Sequence, residues 1–325
     1  MTQHKGAPRT QSPPGELARL QRRILLAWLS MAAAWLWFFL PGAPLIAWAG
    51  AAFWLFGYTS MLAAELLAMQ WVNRHDPVPR ATCIEVLGAW LGECWVATQV
   101  FGWRQPFRPN AVPNNLSHPS LKGQRGVVFI HGLVCNRAFW TPWLERLKDT
   151  RHAYAAINLE PVWGSISAYG PTIDAAVDAV RQASGLPPIL VCHSMGGLAA
   201  RAWLVRHACF AAGQASPVHR IVTIGSPHRG TWLARFGHSE NAIEMREGSA
   251  WLKQLNACPP AHDSLAPGEP ADPLWLCWYS NCDHIVFPAS TATLPGADNR
   301  LVRGAGHVQL AFVPEVMDQT LGLLK

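Results

Sequence analysis

The chain has 325 residues, half of them hydrophobic and only 14% charged, with 17 Trp and a net charge of +6. So apolar a composition excludes an intrinsically disordered chain, and the crowding of apolar residues before residue 73 argues against a uniformly water-soluble one. No long Lys/Arg run and no nucleic-acid motif is present, so the charge is assigned to a membrane surface, not to nucleic acid.

Residues 1–22 are polar and basic, with Lys5, Arg9, Arg19 and Arg22, and are expected to be disordered; Arg23 follows directly. From Ile24 to Leu40 the chain carries no charge over 17 residues, near the short end of the roughly 17–25 that span a bilayer. Pro41-Gly42-Ala43-Pro44 breaks that helix. A second apolar run, from Leu45 to about Val72, is interrupted only by Glu65. Residues 23–73 are therefore predicted to form a two-helix membrane hairpin. A re-entrant or interfacial hairpin fits the same pattern. A cleaved signal peptide fits less well, because a second apolar run follows where polar mature sequence would stand. A buried soluble hairpin also fits less well, because the runs are apolar on every face. Arg19, Arg22 and Arg23 precede the hairpin, Arg74 and Arg80 follow it, and its turn has no charge. By the positive-inside rule both ends face the cytoplasm. The expected location is a bacterial inner membrane, with the remainder of the chain on the cytoplasmic side.

The eight Cys include no C-x-x-C pair and no Cys/His set with zinc spacing, so no metal is expected. They read as free, mostly buried thiols in a reducing compartment. A disulfide of Cys258 with Cys277 or Cys282 stays open.

Residues 74–125 form a connector. Ile84 to Phe101 is predicted as an amphipathic helix with Glu85 and Glu93 on its polar side and Trp90 and Trp95 among its apolar residues. It is expected either to lie on the membrane or to cover the following domain. Pro106, Pro109, Pro113 and Pro119 then mark a loop or linker.

From Gly126 short β-like runs alternate with helical stretches. Val127–Ile130, Tyr154–Ile157, Ile189–Cys192, Ile221–Ile224 and Leu274–Trp278 read as buried strands. Helices are expected near 138–148, 171–184, 195–209 and 313–324. This order predicts an α/β fold with a mostly parallel sheet flanked by helices, reactive residues standing at the carboxyl ends of the strands. Three places carry chemistry. Pro188-Ile189-Leu190-Val191-Cys192-His193-Ser194-Met195-Gly196-Gly197 is a strand running into a Ser, two Gly and a helix. That matches a nucleophile elbow, whose tight turn exposes the Ser hydroxyl and demands small residues two before and two after it. Gly196 meets the demand, and Cys192 stands where Gly is usual. Val127 to Leu133 is a buried strand ending in His131-Gly132-Leu133. Asp283 follows the strand Leu274–Trp278, and His307 follows a short strand and the Gly-rich Gly304-Ala305-Gly306. A Ser nucleophile needs such a base and a group to orient it. His131 reads as structural, and His284 has no evident role.

Cys192-His193-Ser194-Met195-Gly196-Gly197 and Gly225-Ser226-Pro227-His228-Arg229-Gly230-Thr231 resemble the corresponding motifs of bacterial triacylglycerol lipases and related α/β-hydrolase esterases. With His131-Gly132 and Asp283…His307 the resemblance covers residues 126–325 and leaves out the hairpin. It implies an α/β-hydrolase fold and ester hydrolysis through an acyl-enzyme. Ser194, Asp283 and His307 would be the catalytic residues, and the N–H groups of Leu133 and Met195 the oxyanion hole. No cofactor is expected, and no carboxylate set suits the structural calcium of some relatives. The substrate would be an ester, with lipid only weakly implied. An acyltransferase or thioesterase would use the same triad, and an inactive membrane scaffold is the alternative from another class. The long excursion at about 232–272 is expected to be a cap or mobile lid, with 241–257 helical and amphipathic.

Overall fold

The computed structural model describes residues 15–210, 216–257 and 274–325. Three long helices come first: α1 (Glu16–Phe39), α2 (Pro44–Val72) and α3 (Cys83–Gln99). Pro44 starts α2, where its missing N–H costs nothing. Thr82 and Glu85 cap α3 reciprocally. At 1.5 Å per residue α1 and α2 are about 36 and 44 Å long, and both are apolar enough to cross a membrane by length and composition. Only 6% of the most apolar stretch of α1 and 11% of that of α2 are buried, so neither is a core helix.

Two expectations for this region need correction. Residues 1–14 of the stretch expected to be disordered lie outside the described residues, but Glu16 to Arg22 are helical, not disordered. The reason is docking. Leu17 and Ala18 are buried, Gln21 Nε2 donates to Val134 O at 3.1 Å, and Arg22 donates to Pro106 O at 2.8 and 3.0 Å. Second, Glu93 is not on a solvent-facing side of α3. It is 2% exposed, on the inward face with Ala89 and Val100, while Ile84, Leu87, Leu91 and Trp95 point outward. The sequence pattern misleads because a buried acceptor was needed there: two backbone N–H groups at the start of a later short helix donate to the Glu93 carboxylate.

A short α4 (Gln105–Phe107) leads to the sheet. Its strands are β1 (Val127–Ile130), β2 (Tyr154–Ala156), β3 (Ile189–His193), β4 (Arg220–Ile224), β5 (Trp275–Ser280) and β6 (Asp298–Val302). All six are parallel, in the order β2-β1-β3-β4-β5-β6. Side chains alternate across it. Val128, Ile130, Leu190 and Ile221 join one core with α6 (Gly170–Ser184), α7 (Met195–Phe210) and α9 (Ala250–Ala257). Val127, Phe129, Val191 and Val222 join the other with α5 (Thr141–Leu147) and α11 (Pro314–Gly322). Near-continuous apolar strands are what a sheet covered on both faces requires. A third, smaller cluster ties α2 and α3 to the sheet domain through Leu66, Met69, Ala89, Cys282 and Phe287.

The expected helix over 241–257 is two helices, α8 (Glu240–Glu244) and α9, parted by a turn at 245–249. This part of the excursion is pinned down. Glu244 accepts from Ser165 Oγ and Ile166 N, Asn241 Nδ2 donates to Val162 O, and Trp251 Nε1 donates to Ser167 Oγ. The Pro-rich 258–273 and Cys258 lie outside the described residues. Cys83, Cys94, Cys135, Cys192, Cys277 and Cys282 are free.

Candidate active site

Because the strands are parallel, β1, β3, β5 and β6 deliver their following loops to one edge of the sheet. Ser194 stands between the end of β3 and the first residue of α7 with φ +54, in the left-handed region that non-Gly residues rarely occupy. Its N–H donates to Ile224 O of the neighbouring strand at 2.9 Å, and its carbonyl accepts from Gly197 N at 3.0 Å. The turn works only with a glycine at 196, since a Cβ there would sit 2.6 and 2.7 Å from the carbonyl oxygens of Ile130 and His131. Cys192, the departure from the usual pattern, is fully buried in the sheet.

Asp283 lies three residues beyond β5 and His307 at the start of α10 (His307–Leu310). The structure brings them together: His307 Nδ1 is 2.8 Å from Asp283 Oδ2. The other oxygen, Oδ1, accepts from Ile285 N and Val286 N at 2.9 and 2.8 Å. Both residues are buried. Burial acts to raise the Asp283 carboxyl but is outweighed by the His307 charge, their hydrogen bond and the Val286 N–H, so the group lies below its ordinary value. For His307, burial acts to lower the imidazole and is outweighed by the Asp283 charge and hydrogen bond, then by Glu93 and Glu65, so it lies above its ordinary value. Gly225, the residue after β4, leaves room for this pair. It has φ +57, and a Cβ on it would stand 2.9 Å from Asp283 Oδ2 and 3.3 Å from His307 Nδ1.

His193, beside Ser194, links the two halves. Its ring stacks on Phe139 and lies 4.6 Å from the His307 ring, and its Nε2 is 3.2 Å from His307 O. Burial and the nearby His307 hold it well below the usual imidazole range. Met195 N opens α7, where helix N–H groups have no intrahelical partner. Leu133 is half-buried in the turn after β1. The next residue, Val134, has φ +57, strained for a β-branched side chain. His131 bridges the turn, with Nδ1 2.8 Å from Gly132 O and Nε2 accepting from Leu159 N. Burial lowers its pKa to about 4, consistent with a structural neutral ring.

The second lipase-like motif packs against the segment that follows Asp283. Thr231 Oγ1 donates to Ile285 O, and Arg229 N donates to Thr291 O. Three residues near the pair, Glu65, Glu93 and His284, have no assigned role from the sequence. His284 is buried, with Nε2 3.6 Å from Glu65 Oε2 and 3.8 Å from Glu93 Oε1. The signal for Glu65 was present: a lone carboxylate in a long apolar run is expensive unless it has a partner. Among the described residues no group of three or more His, Cys, Asp or Glu is arranged to hold a metal.

Solved structures share this fold. The mature form of the Bacillus licheniformis lipase BlEst2 is 19% identical with a TM-score of 0.52, covering 65% of this chain and 96% of that one. Aspergillus fumigatus lipase B is 14% identical with a TM-score of 0.50, covering 62% and 52%. No curated protein matches the chain. Residues 127–319, more than half of the sequence, match the alpha/beta hydrolase family, and the chain belongs to that family.

Proposed function

We propose that the chain is a membrane-associated serine hydrolase that cleaves carboxylic esters. The observation that carries this reading is Ser194 held at φ +54 on a strand-to-helix turn, on the sheet edge that also bears a buried Asp283–His307 pair at 2.8 Å. Forcing a serine into that conformation costs of order 1–3 kcal/mol and has a use when the hydroxyl must be presented to a substrate.

In the proposed reaction His307 Nε2 takes the Ser194 proton as Oγ attacks the ester carbonyl. The Leu133 and Met195 N–H groups hold the oxyanion. Collapse of the tetrahedral intermediate expels the alcohol, which receives the proton from His307. Water, activated by the same imidazole, then attacks the acyl-enzyme and releases the acid. Asp283 holds His307 with Nδ1 protonated and stabilises its cation.

The α1–α2 hairpin is the proposed membrane anchor. Trp37, Phe38, Leu45 and Phe53 are each 69% exposed or more, and a patch of that kind marks a lipid or partner surface. The basic residues on both flanks favour, by the positive-inside rule, an orientation with the hydrolase domain on the cytoplasmic side. An anchored site meets acyl lipids at high local concentration, so membrane lipids or their partial breakdown products are the proposed substrates. Residues 232–257 are proposed as a fixed cap. Hydrolysis of p-nitrophenyl esters of graded chain length, in detergent, tests the reading with the full-length protein and Ser194→Ala. Turnover by the wild type, lost by at least about a thousandfold in the variant, is expected. Equal turnover in both would refute it.

A further inference from the structure

The three loops that bear the proposed chemistry are tied to the segment preceding residue 127, which the family match does not include. The turn after β1 is held by Gln21, which reaches Val134 O, and by Gln105, whose Oε1 accepts from Asn136 N at 3.0 Å. In the acid loop, Ala289 N donates to Asn73 Oδ1, Ser290 Oγ donates to Asp76 Oδ2, and Asn281 Nδ2 donates to Pro79 O. The base loop is gripped by α3. Arg303 pairs with Glu85, and the two oxygens of Glu93 accept separately from Val308 N and Gln309 N, each at 2.9 Å. Those two N–H groups belong to the residues directly after His307, in the first turn of α10. They have no intrahelical acceptor and need an outside one. The approach is close: a Cβ on Gly306 would stand 2.6 Å from Glu93 Oε2.

We infer that Glu93 is a positioning residue for His307, and that α3 is therefore a working part of the catalytic machinery, not merely a connector between anchor and domain. This rests on the reading of Ser194, Asp283 and His307 as the triad. Glu93 grips the backbone on the C-terminal side of His307, while Asp283 grips the ring. Together they fix the imidazole from both ends, and misplacing a catalytic group by about 1 Å can cost a hundredfold in rate. The carboxylate also faces the imidazole electrostatically. The charged and titratable groups around His307 are Asp283 and His284 from the acid loop, His193 from β3, Glu93 from α3 and Glu65 from α2. Burial pushes Glu93 up to about 7, against the Gln309 and Val308 N–H groups, which favour its ionised form. An ionised Glu93 stabilises the His307 cation, so its removal lowers the pKa of the base.

Glu93→Gln in the full-length protein is the test. It keeps the side-chain shape and removes the charge and one of the two acceptors. The rate of Ser194 labelling by a fluorophosphonate and kcat for a p-nitrophenyl ester should each fall about ten- to a hundredfold with KM little changed. The acidic limb of the pH–rate profile should move to lower pH, and the thermal transition should stay within a few degrees of wild type. A purely structural Glu93 would move the transition and leave the pH limb in place. Wild-type labelling rate and an unmoved limb would overturn the inference. Should Glu93→Gln fail to fold, Glu93→Asp takes its place. It keeps the charge but shortens the reach, so a slower labelling rate is expected and a wild-type rate overturns the inference. Failure of the wild-type protein to label at all would instead sink the triad reading, so the two failures are distinguishable.

Discussion

At the scale of single residues, burial and its neighbours set the proton affinity of His307. Its pKa lies above the ordinary value of about 6.5, mainly through the Asp283 carboxylate acting against burial. Two opposite consequences follow. The imidazolium–carboxylate pair contributes most to stability below about pH 6.5, and that contribution is lost as pH rises through the higher folded value. The proposed general base acts only when neutral, so under that proposal turnover switches on over the same rise. The acidic limb of kcat/KM is expected to lie above pH 6.5; a limb well below it would mean that the Asp283–His307 pair is not ionised as described. Ser194 was legible in the sequence because a hydrophobic strand, a Ser and two Gly leave one geometry for the turn. The sequence sets Asp283 and His307 each after a strand, and the structure brings the two within 2.8 Å of one another; their parts in catalysis remain the proposal above. Glu93 was not legible as an inward residue. Its partners are backbone N–H groups more than two hundred residues away, and no side-chain pattern announces those.

At the scale of elements, strands were read best because the sheet is covered on both faces, so each strand is a short unbroken apolar run with its own turn signals. Edges shifted by a residue or two where hydrogen bonding, not hydrophobicity, ends the strand: β3 continues through His193 and β5 through Ser280. The pattern over Ile84–Phe101 predicts helix α3 but sets Glu93 outward, because a carboxylate ordinarily seeks water, whereas the structure buries it. The stretch 241–257 was read as one helix, although a turn divides it. Helix α5 illustrates how an element carries the site at a distance. Trp143 is fully buried against Phe129, and its Nε1 donates to Ala311 O just after α10. Trp143→Ala leaves a large void and a bare carbonyl, at a cost of about 3–5 kcal/mol. Denaturant unfolding monitored by circular dichroism should show a lower midpoint by that measure. A change under about 1 kcal/mol would mean that this core is looser than described.

At the scale of the whole molecule, an apolar hairpin, a brace and a hydrolase domain form one chain in which the α2–α3 region holds the segments that carry Asp283 and His307. The hairpin was legible from its uncharged runs and the Pro-Gly-Ala-Pro break. Its coupling to the site was not, because that depends on isolated polar residues scattered from Gln21 to Gln105. The proposed orientation is open to a direct check. Cys83 is exposed, whereas Cys282 is buried in the cluster beneath α2 and would report poorly. A membrane-impermeant maleimide should label Cys83 in inverted inner-membrane vesicles and not in intact spheroplasts; labelling in spheroplasts would reverse the topology. The most direct test of the central claim is mass spectrometry of the detergent-solubilised, full-length protein after reaction with a fluorophosphonate. A single stoichiometric adduct on Ser194, absent from Ser194→Ala, is expected. An unmodified Ser194 in folded protein, or an adduct on a different residue, would contradict it.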